Sequence, residues 1–359
     1  MKKILFLTAL MLSGLLSSAQ ETVSTTSPEI GLTIIPRFDL NPYFSTQSDG
    51  ENGFSFGNSS LYTTLGGDIN EHWSFLIVNH WLTNNIYSNH LFEGTKYLYE
   101  DSFRTDTNTW VDYFNATYSI NGFSITLGKD MIATGGFEYD PWDWETHPSQ
   151  MSGLWNSLAC YQWGGKVSWT TPSENTTIGL QVTTSPYSDE EDTKSYRPFK
   201  SGRYNYGVFW LGDFDWFHTN FSLTALQRCD WSYAWLAATG LRFTPGQFTI
   251  DANWFNKVGR GDAEDFLAKG NTGLLSATYT LPSEKFDFTV KGGYEKTDKP
   301  DDEFIYDNWF TGLTVNWYPI QGDTSLRVHG VVSYDHILRN FTITAGALFN
   351  LYIPFTRKK

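Results

Sequence analysis

Between Gly135 and Pro148 the chain reads Gly-Gly-Phe-Glu-Tyr-Asp-Pro-Trp-Asp-Trp-Glu-Thr-His-Pro, so four carboxylates and four aromatic rings fall within the eleven residues 137–147. Glu138, Asp140, Asp143 and Glu145 would repel anions and favour cations. Trp142 and Trp144 offer flat faces on which a sugar ring can stack. His147 stands close to Asp143 and Glu145, a grouping that proton-transfer chemistry could use. The plain alternative for all of them is an external loop held together by its own rings, with its charges in water. Elsewhere there is no Gly-rich phosphate loop, no zinc-type Cys/His spacing and no EF-hand loop, so no cofactor or metal is expected. A nucleophile-elbow pattern is also missing, which leaves an outer-membrane hydrolase as a lesser reading.

The segments that must position this stretch alternate apolar and polar residues. In the last of them Phe341, Ile343, Ala345, Ala347, Phe349, Leu351 and Ile353 take one face, and Thr342, Thr344, Gly346, Asn350 and Tyr352 the other. That period of two suits a strand with one greasy and one wet side. Sixteen such runs are expected, at 30–40, 59–69, 73–83, 109–120, 123–131, 159–170, 177–185, 204–213, 216–226, 233–243, 248–256, 272–281, 286–294, 308–318, 324–334 and 340–353. The connections alternate in length. Short turns such as Asn121-Gly122, Pro172-Ser173-Glu174-Asn175 and Pro282-Ser283-Glu284-Lys285 follow even-numbered runs, and longer loops, among them 132–158, follow odd-numbered ones. The pattern predicts an all-β fold: a transmembrane antiparallel up-and-down β-barrel of about sixteen strands, with short periplasmic turns and long extracellular loops.

Aromatic residues cluster beside the short turns, where amphipathic rings favour the headgroup layer: Trp73, Phe123, Trp169, Phe214, Trp216, Phe248, Phe286, Trp317 and Tyr318. Charges sort in the same way. Arg37, Asp39, Asp68, Lys166, Arg242, Asp251, Asp287, Lys291 and Arg327 lie on the parity opposite the apolar face and are expected to face the lumen. Lys129 is the exception, on the apolar parity of its run, with its stem expected to reach outward to the membrane surface.

Lys2 and Lys3, the apolar run Ile4 to Leu16 and Ser17-Ser18-Ala19 read as a signal peptide over residues 1–19, leaving 20–359 as a single barrel domain with loop 132–158 folded into its lumen. Removing Lys2 and Lys3 from 25 basic residues leaves 23 against 39 acidic ones, a net charge of −16 with histidine neutral, which excludes an electrostatic case for nucleic acid. The expected partners are outer-membrane lipid, lipopolysaccharide reached through divalent cations, and small hydrophilic solutes. Two cysteines, Cys160 and Cys229, are too few for a disulfide framework; a bridge between them and two free thiols both stay open.

Leu127-Gly128-Lys129 followed by Gly135-Gly136-Phe137-Glu138-Tyr139-Asp140 resembles Bacteroidetes outer-membrane porins grouped with the phosphate-selective porin O and P family. The resemblance implies a diffusion channel, commonly trimeric, whose third long loop bends into the lumen. Phosphate selectivity in that family rests on a ladder of inward arginines and a lysine cluster. In this chain the inward bases are scattered and matched by acids, so weak cation selectivity or none is expected. The principal rival is a barrel with a plugged bore that docks a surface lipoprotein or secretion component.

Overall fold

The computed structural model describes residues 29–35, 37–41, 53–55, 60–82, 111–138, 150–154, 158, 160–185, 202–228, 231–258, 270–297, 306–320, 323–336 and 340–354. The signal-peptide stretch, Asp140, Trp142, Asp143, Trp144, Glu145, His147 and Cys229 lie outside the described residues, as do the side chains of Arg37 and Asp39.

Eighteen ladder segments build one antiparallel sheet. Two pairs of them are single strands with a break. Glu29–Ile35 and Arg37–Asn41 keep one register against the last strand, Glu29 opposite Pro354 and Arg37 opposite Gly346, with Pro36, which has no N–H to donate, between them in the sequence. They form β1. Gly53–Ser55 and Ser60–Asp68 pair with the two halves of β1 and form β2. The rest are β3 (Trp73–Leu82), β4 (Val111–Ile120), β5 (Phe123–Met131), β6 (Tyr161–Thr170), β7 (Thr176–Thr184), β8 (Tyr204–Asp213), β9 (Phe217–Gln227), β10 (Tyr233–Phe243), β11 (Phe248–Val258), β12 (Gly270–Thr280), β13 (Phe286–Thr297), β14 (Tyr306–Trp317), β15 (Leu326–Asp335) and β16 (Asn340–Pro354). Eighteen segments less two breaks give the sixteen strands expected from the alternation.

Each strand pairs with its sequence neighbours, and β1 pairs with both β2 and β16, so the ring has no open edge. Followed from register partner to register partner around that ring, the offsets accumulate to roughly 20 residues of stagger. With about 3.3 Å per residue and about 4.8 Å between strands, sixteen strands so staggered tilt by roughly 40° and enclose a backbone cylinder of roughly 16 Å radius.

The outside is apolar. Ile125, Leu127, Val167, Leu180, Val208, Leu275, Val290, Leu313, Val332, Ile343 and Leu351 are all exposed. Rings gather at both ends of this band. At the short-turn end Trp73 meets Tyr118, Phe123 meets Trp169, Phe217 meets Phe243, Phe248 meets Tyr279 and Phe286 meets Trp317. At the other end Phe114 meets Trp163, Tyr206 meets Tyr233, and Trp309 and Phe341 flank Tyr334. Trp309 and Trp317 stand eight residues apart on β14, which at that tilt sets the belts about 20 Å apart, close to the hydrocarbon height of a barrel-bearing membrane. No helix among the described residues is long and apolar enough to cross a membrane.

Lys129 keeps the outward position expected of it, and its head turns to the backbone of the neighbouring strand at the long-loop end. It lies in register with Phe114 and Trp163, whose ring centroids are 6.0 Å apart, and its Nζ donates to Val111 O at 2.6 Å. The buried ammonium is thus satisfied by a carbonyl of the neighbouring strand, which removes the need for water.

Candidate functional site: an inward segment against the barrel wall

Past Met131 the chain turns along the inner wall. Gly135 (φ +62°) and Gly136 (φ +77°) adopt the left-handed conformation in succession, which glycine alone takes without strain. They are also needed for fit. A Cβ on Gly135 would lie 2.8 Å from that of Ala238, one on Gly136 2.7 Å from Phe255 Cζ, and one on Gly240 of the wall 2.6 Å from Gly136 Cα.

Polar side chains of the wall take up the backbone of this segment. Gln181 on β7 receives the Ala133 N–H at 2.7 Å and donates to Met131 O at 2.8 Å. Thr224 on β9 donates to Ala133 O. Asn220, also on β9, receives the Gly136 N–H on its carbonyl at 2.9 Å and returns its own side-chain N–H to Gly136 O at 2.7 Å. Phe137 N donates to Asn253 Oδ1 of β11 at 2.6 Å. Backbone that leaves a ladder inside a barrel must find partners somewhere, and here the wall supplies them.

Beneath the segment lies an apolar cluster. Ile132, Met151, Leu154, Leu158 and Cys160 pack with Leu226, Ala234, Leu236, Ala238, Phe255, Leu274 and Phe310 of β9 to β14. The strand members of this group share the inward parity of the polar lumen residues. Their positions carried a readable signal, because a position pointing into a wet lumen has no reason to be apolar unless something covers it. The lumen-facing glutamine, asparagines, Lys257 and Glu295 escaped notice because neutral amides and single charges on alternating strands look like ordinary wet-face residues.

Glu138 is buried at 3% exposure. Its carboxylate accepts from Ser152 N at 2.8 Å, Ser152 Oγ at 2.6 Å and Lys291 Nζ on β13 at 3.1 Å. Its charge is therefore matched at the wall. Lys166 pairs with Asp130 at 2.7 Å. Arg242 grips Asp251, its register partner, through two bonds of 2.6 and 2.8 Å, and lies 4.4 Å over the Phe137 ring. Asp287 accepts from Asn316 Nδ2 at 2.6 Å and Tyr318 OH at 2.8 Å. Tyr318 lies just past the end of β14, and burial, with Asp287 adding to it, pushes its phenol above the ordinary tyrosine range, so it remains a donor. Asp68 and Arg327 fall on the inward parity of their strands and are half-buried. The structure thus brings Glu138, Arg242, Asp251 and Lys291 to one inner patch, with Lys166, Asp287, Asp68 and Arg327 elsewhere on the wall. Among the described residues no group of His, Cys, Asp and Glu is arranged to hold a metal ion.

No protein-family model and no curated protein matches the sequence. Solved structures do. The chain is similar to a triple mutant of the porin of Rhodopseudomonas blastica at 14% identity and a TM-score of 0.54, covering 90% of this chain and 100% of that one. The trimer form of OmpT, an outer membrane protein of Vibrio cholerae, aligns at 10% identity and 0.54 over 90% and 100%. OccAB3 of Acinetobacter baumannii aligns at 7% and 0.50 over 91% and 99%. Likeness at such low identity speaks for architecture, and the architecture of this chain is that of a porin barrel.

Proposed function

We propose that this barrel is a channel of the bacterial outer membrane that passes small hydrophilic solutes down their gradients. The observation that carries the reading is the closed ring of sixteen strands with a polar inner parity. A backbone radius of roughly 16 Å, less roughly 6 Å for inward side chains, leaves an aqueous path wherever the inward segment does not lie. The porin barrels to which the chain is similar are outer-membrane proteins, which supports the location. The trimer form of the Vibrio protein, together with the family resemblance, supports a homotrimer.

In this reading residues 132–158 narrow the bore, and Asp140, Trp142, Asp143, Trp144 and Glu145 line the narrowed passage. Selectivity is weakly cationic or absent, because the described inward bases Lys166, Arg242, Lys257, Lys291 and Arg327 stand among a modest excess of acids, Asp68, Asp130, Glu138, Asp213, Asp251, Asp287, Glu295 and Asp335. No preference for phosphate is expected, since no inward arginine ladder is present among the described residues. Proteoliposome swelling with neutral sugars of graded size tests the proposal. Rapid swelling that falls away as the sugars grow supports a channel, and swelling no faster than that of empty liposomes overturns it.

A second reading has one observation in its favour. The apolar cluster between residues 132–160 and β9 to β14 fills part of the lumen with packed side chains, as a plugged barrel serving as a docking scaffold would. The same swelling assay separates the two.

A further inference from the structure

Two carboxylates hold the inward segment to β13, and they do so reciprocally. Glu138 belongs to the segment and accepts from Lys291 of the wall, while Glu295 belongs to the wall and accepts from Gly153 N of the segment at 2.9 Å and from Thr272 Oγ1 at 3.3 Å. Lys291 and Glu295 stand four residues apart on the inward face of β13. Lys257, buried on the inward face of β11, acts electrostatically on Glu295. Glu138, Lys291, Glu295 and Lys257 are between 3% and 8% exposed, and their formal charges cancel. Four buried charges are tolerable only as matched pairs, so the loss of one leaves another uncompensated.

The same contacts tie two parts of the inward segment together. Glu138 joins Ser152 through two hydrogen bonds. Glu295 then ties the neighbouring Gly153 to the wall. We infer that Glu138 and Glu295 form a two-carboxylate latch that holds the inward segment to β13, with Glu138 setting ion selectivity by cancelling Lys291. The inference rests on the channel reading. It assigns these two acids a role distinct from that of a filter: they hold the segment, Glu138 neutralises a lysine, and neither attracts cations itself.

Reversal potentials in planar bilayers across a KCl gradient test this, using the full-length exported protein, Glu138→Gln, Glu295→Gln and the double variant Glu138→Gln/Lys291→Gln. An unmatched unit charge roughly 6 Å from the ion path changes the local ion concentration about threefold in water. Glu138→Gln should therefore lower the potassium-to-chloride permeability ratio about threefold or more at 0.1 M salt, and by less at 1 M, where screening is strong, while Glu295→Gln, which loosens Gly153, should make the open channel noisier. Glu138→Gln/Lys291→Gln restores electrical balance and should return the ratio to the wild-type value. A purely structural role would leave the double variant as shifted as the single one, and that result overturns the latch. If Glu138→Gln does not fold, Glu138→Asp and the double variant carry the test, with wild-type selectivity and noisier open channels expected from both. A wild-type protein that passes no current refutes the channel reading, whereas a conducting wild type with a Glu138→Gln variant of identical selectivity refutes the latch alone.

Discussion

Replacing Gly240 with alanine puts a methyl carbon where the inward segment now lies. The new Cβ would stand 2.6 Å from Gly136 Cα and 3.0 Å from Phe137 Cδ2. Non-bonded carbons settle at about 3.5–4.0 Å, so the segment must retreat by about 1 Å. Gly240 sits in a regular strand, and its ladder with Asn220 and Asn253 is untouched by a methyl group that points inward. The cost falls on the segment. Its bonds from Gly136 N to Asn220 O (2.9 Å), from Asn220 Nδ2 to Gly136 O (2.7 Å) and from Phe137 N to Asn253 Oδ1 (2.6 Å) would lengthen beyond useful range. Three such bonds at about 1 kcal/mol each amount to about 3 kcal/mol. That raises the lifted fraction of the segment by about a hundredfold. Cys160, buried in the cluster under the segment, reports the lift independently of any transport function. In a Cys229→Ser background, maleimide labelling of Cys160 in detergent should be at least tenfold faster in Gly240→Ala than in the parent, with the barrel still migrating as a folded species on unheated gels. Equal labelling rates in the two proteins would refute the wall-pinned segment.

Three further outcomes follow from the wall itself. Gly128→Ala should cost more than about 2 kcal/mol and deplete the heat-modifiable folded form, because Gly128 holds φ +131° and its Cβ would lie 2.1 Å from Phe114 O; normal folding of that variant on gels would contradict the strand geometry. Lys129→Met keeps the filling between Phe114 and Trp163 and removes a charge from the outer face, so the urea midpoint in lipid vesicles should rise or stay within about 1 kcal/mol of the parent; a large fall would mean that the Val111 contact stabilises far more than one hydrogen bond. Glu174→Gly and Glu284→Gly relieve left-handed residues at φ 58° and φ 55° in two turns of the same design, and each should stabilise by about 0.5–1 kcal/mol in the same unfolding titration.

Most of the wall was legible because strand periodicity is local. Asn121-Gly122 announced a tight turn and has φ values of 50° and 80°, as a two-residue hairpin with both central residues left-handed requires. The faces of β8 cannot be told from its own residues, because Phe209 and Trp210 are both large and apolar while facing opposite sides. The inward ring lies over Gly179 of β7, whose added Cβ would sit 2.2 Å from Phe209 Cζ, and a partner thirty positions away leaves no mark on local parity. An inward segment was expected from the length of the loop, its acids and rings, and its resemblance. What pins it was not, since Asn220, Asn253, Gln181 and the carboxylate pair with β13 are brought to it only by the closure of the ring. Glu138 shows the limit most clearly: in sequence it is one of four acids in a row of rings, and in the fold it meets a lysine from 153 residues away.

Current recorded across a planar lipid bilayer containing the purified, heat-modifiable protein tests the central claim most directly. A water-filled bore predicts stepwise insertions, each a steady conductance on the nanosiemens scale that rises in proportion to salt concentration. Folded barrels that insert and pass no steady current at any salt concentration would contradict it.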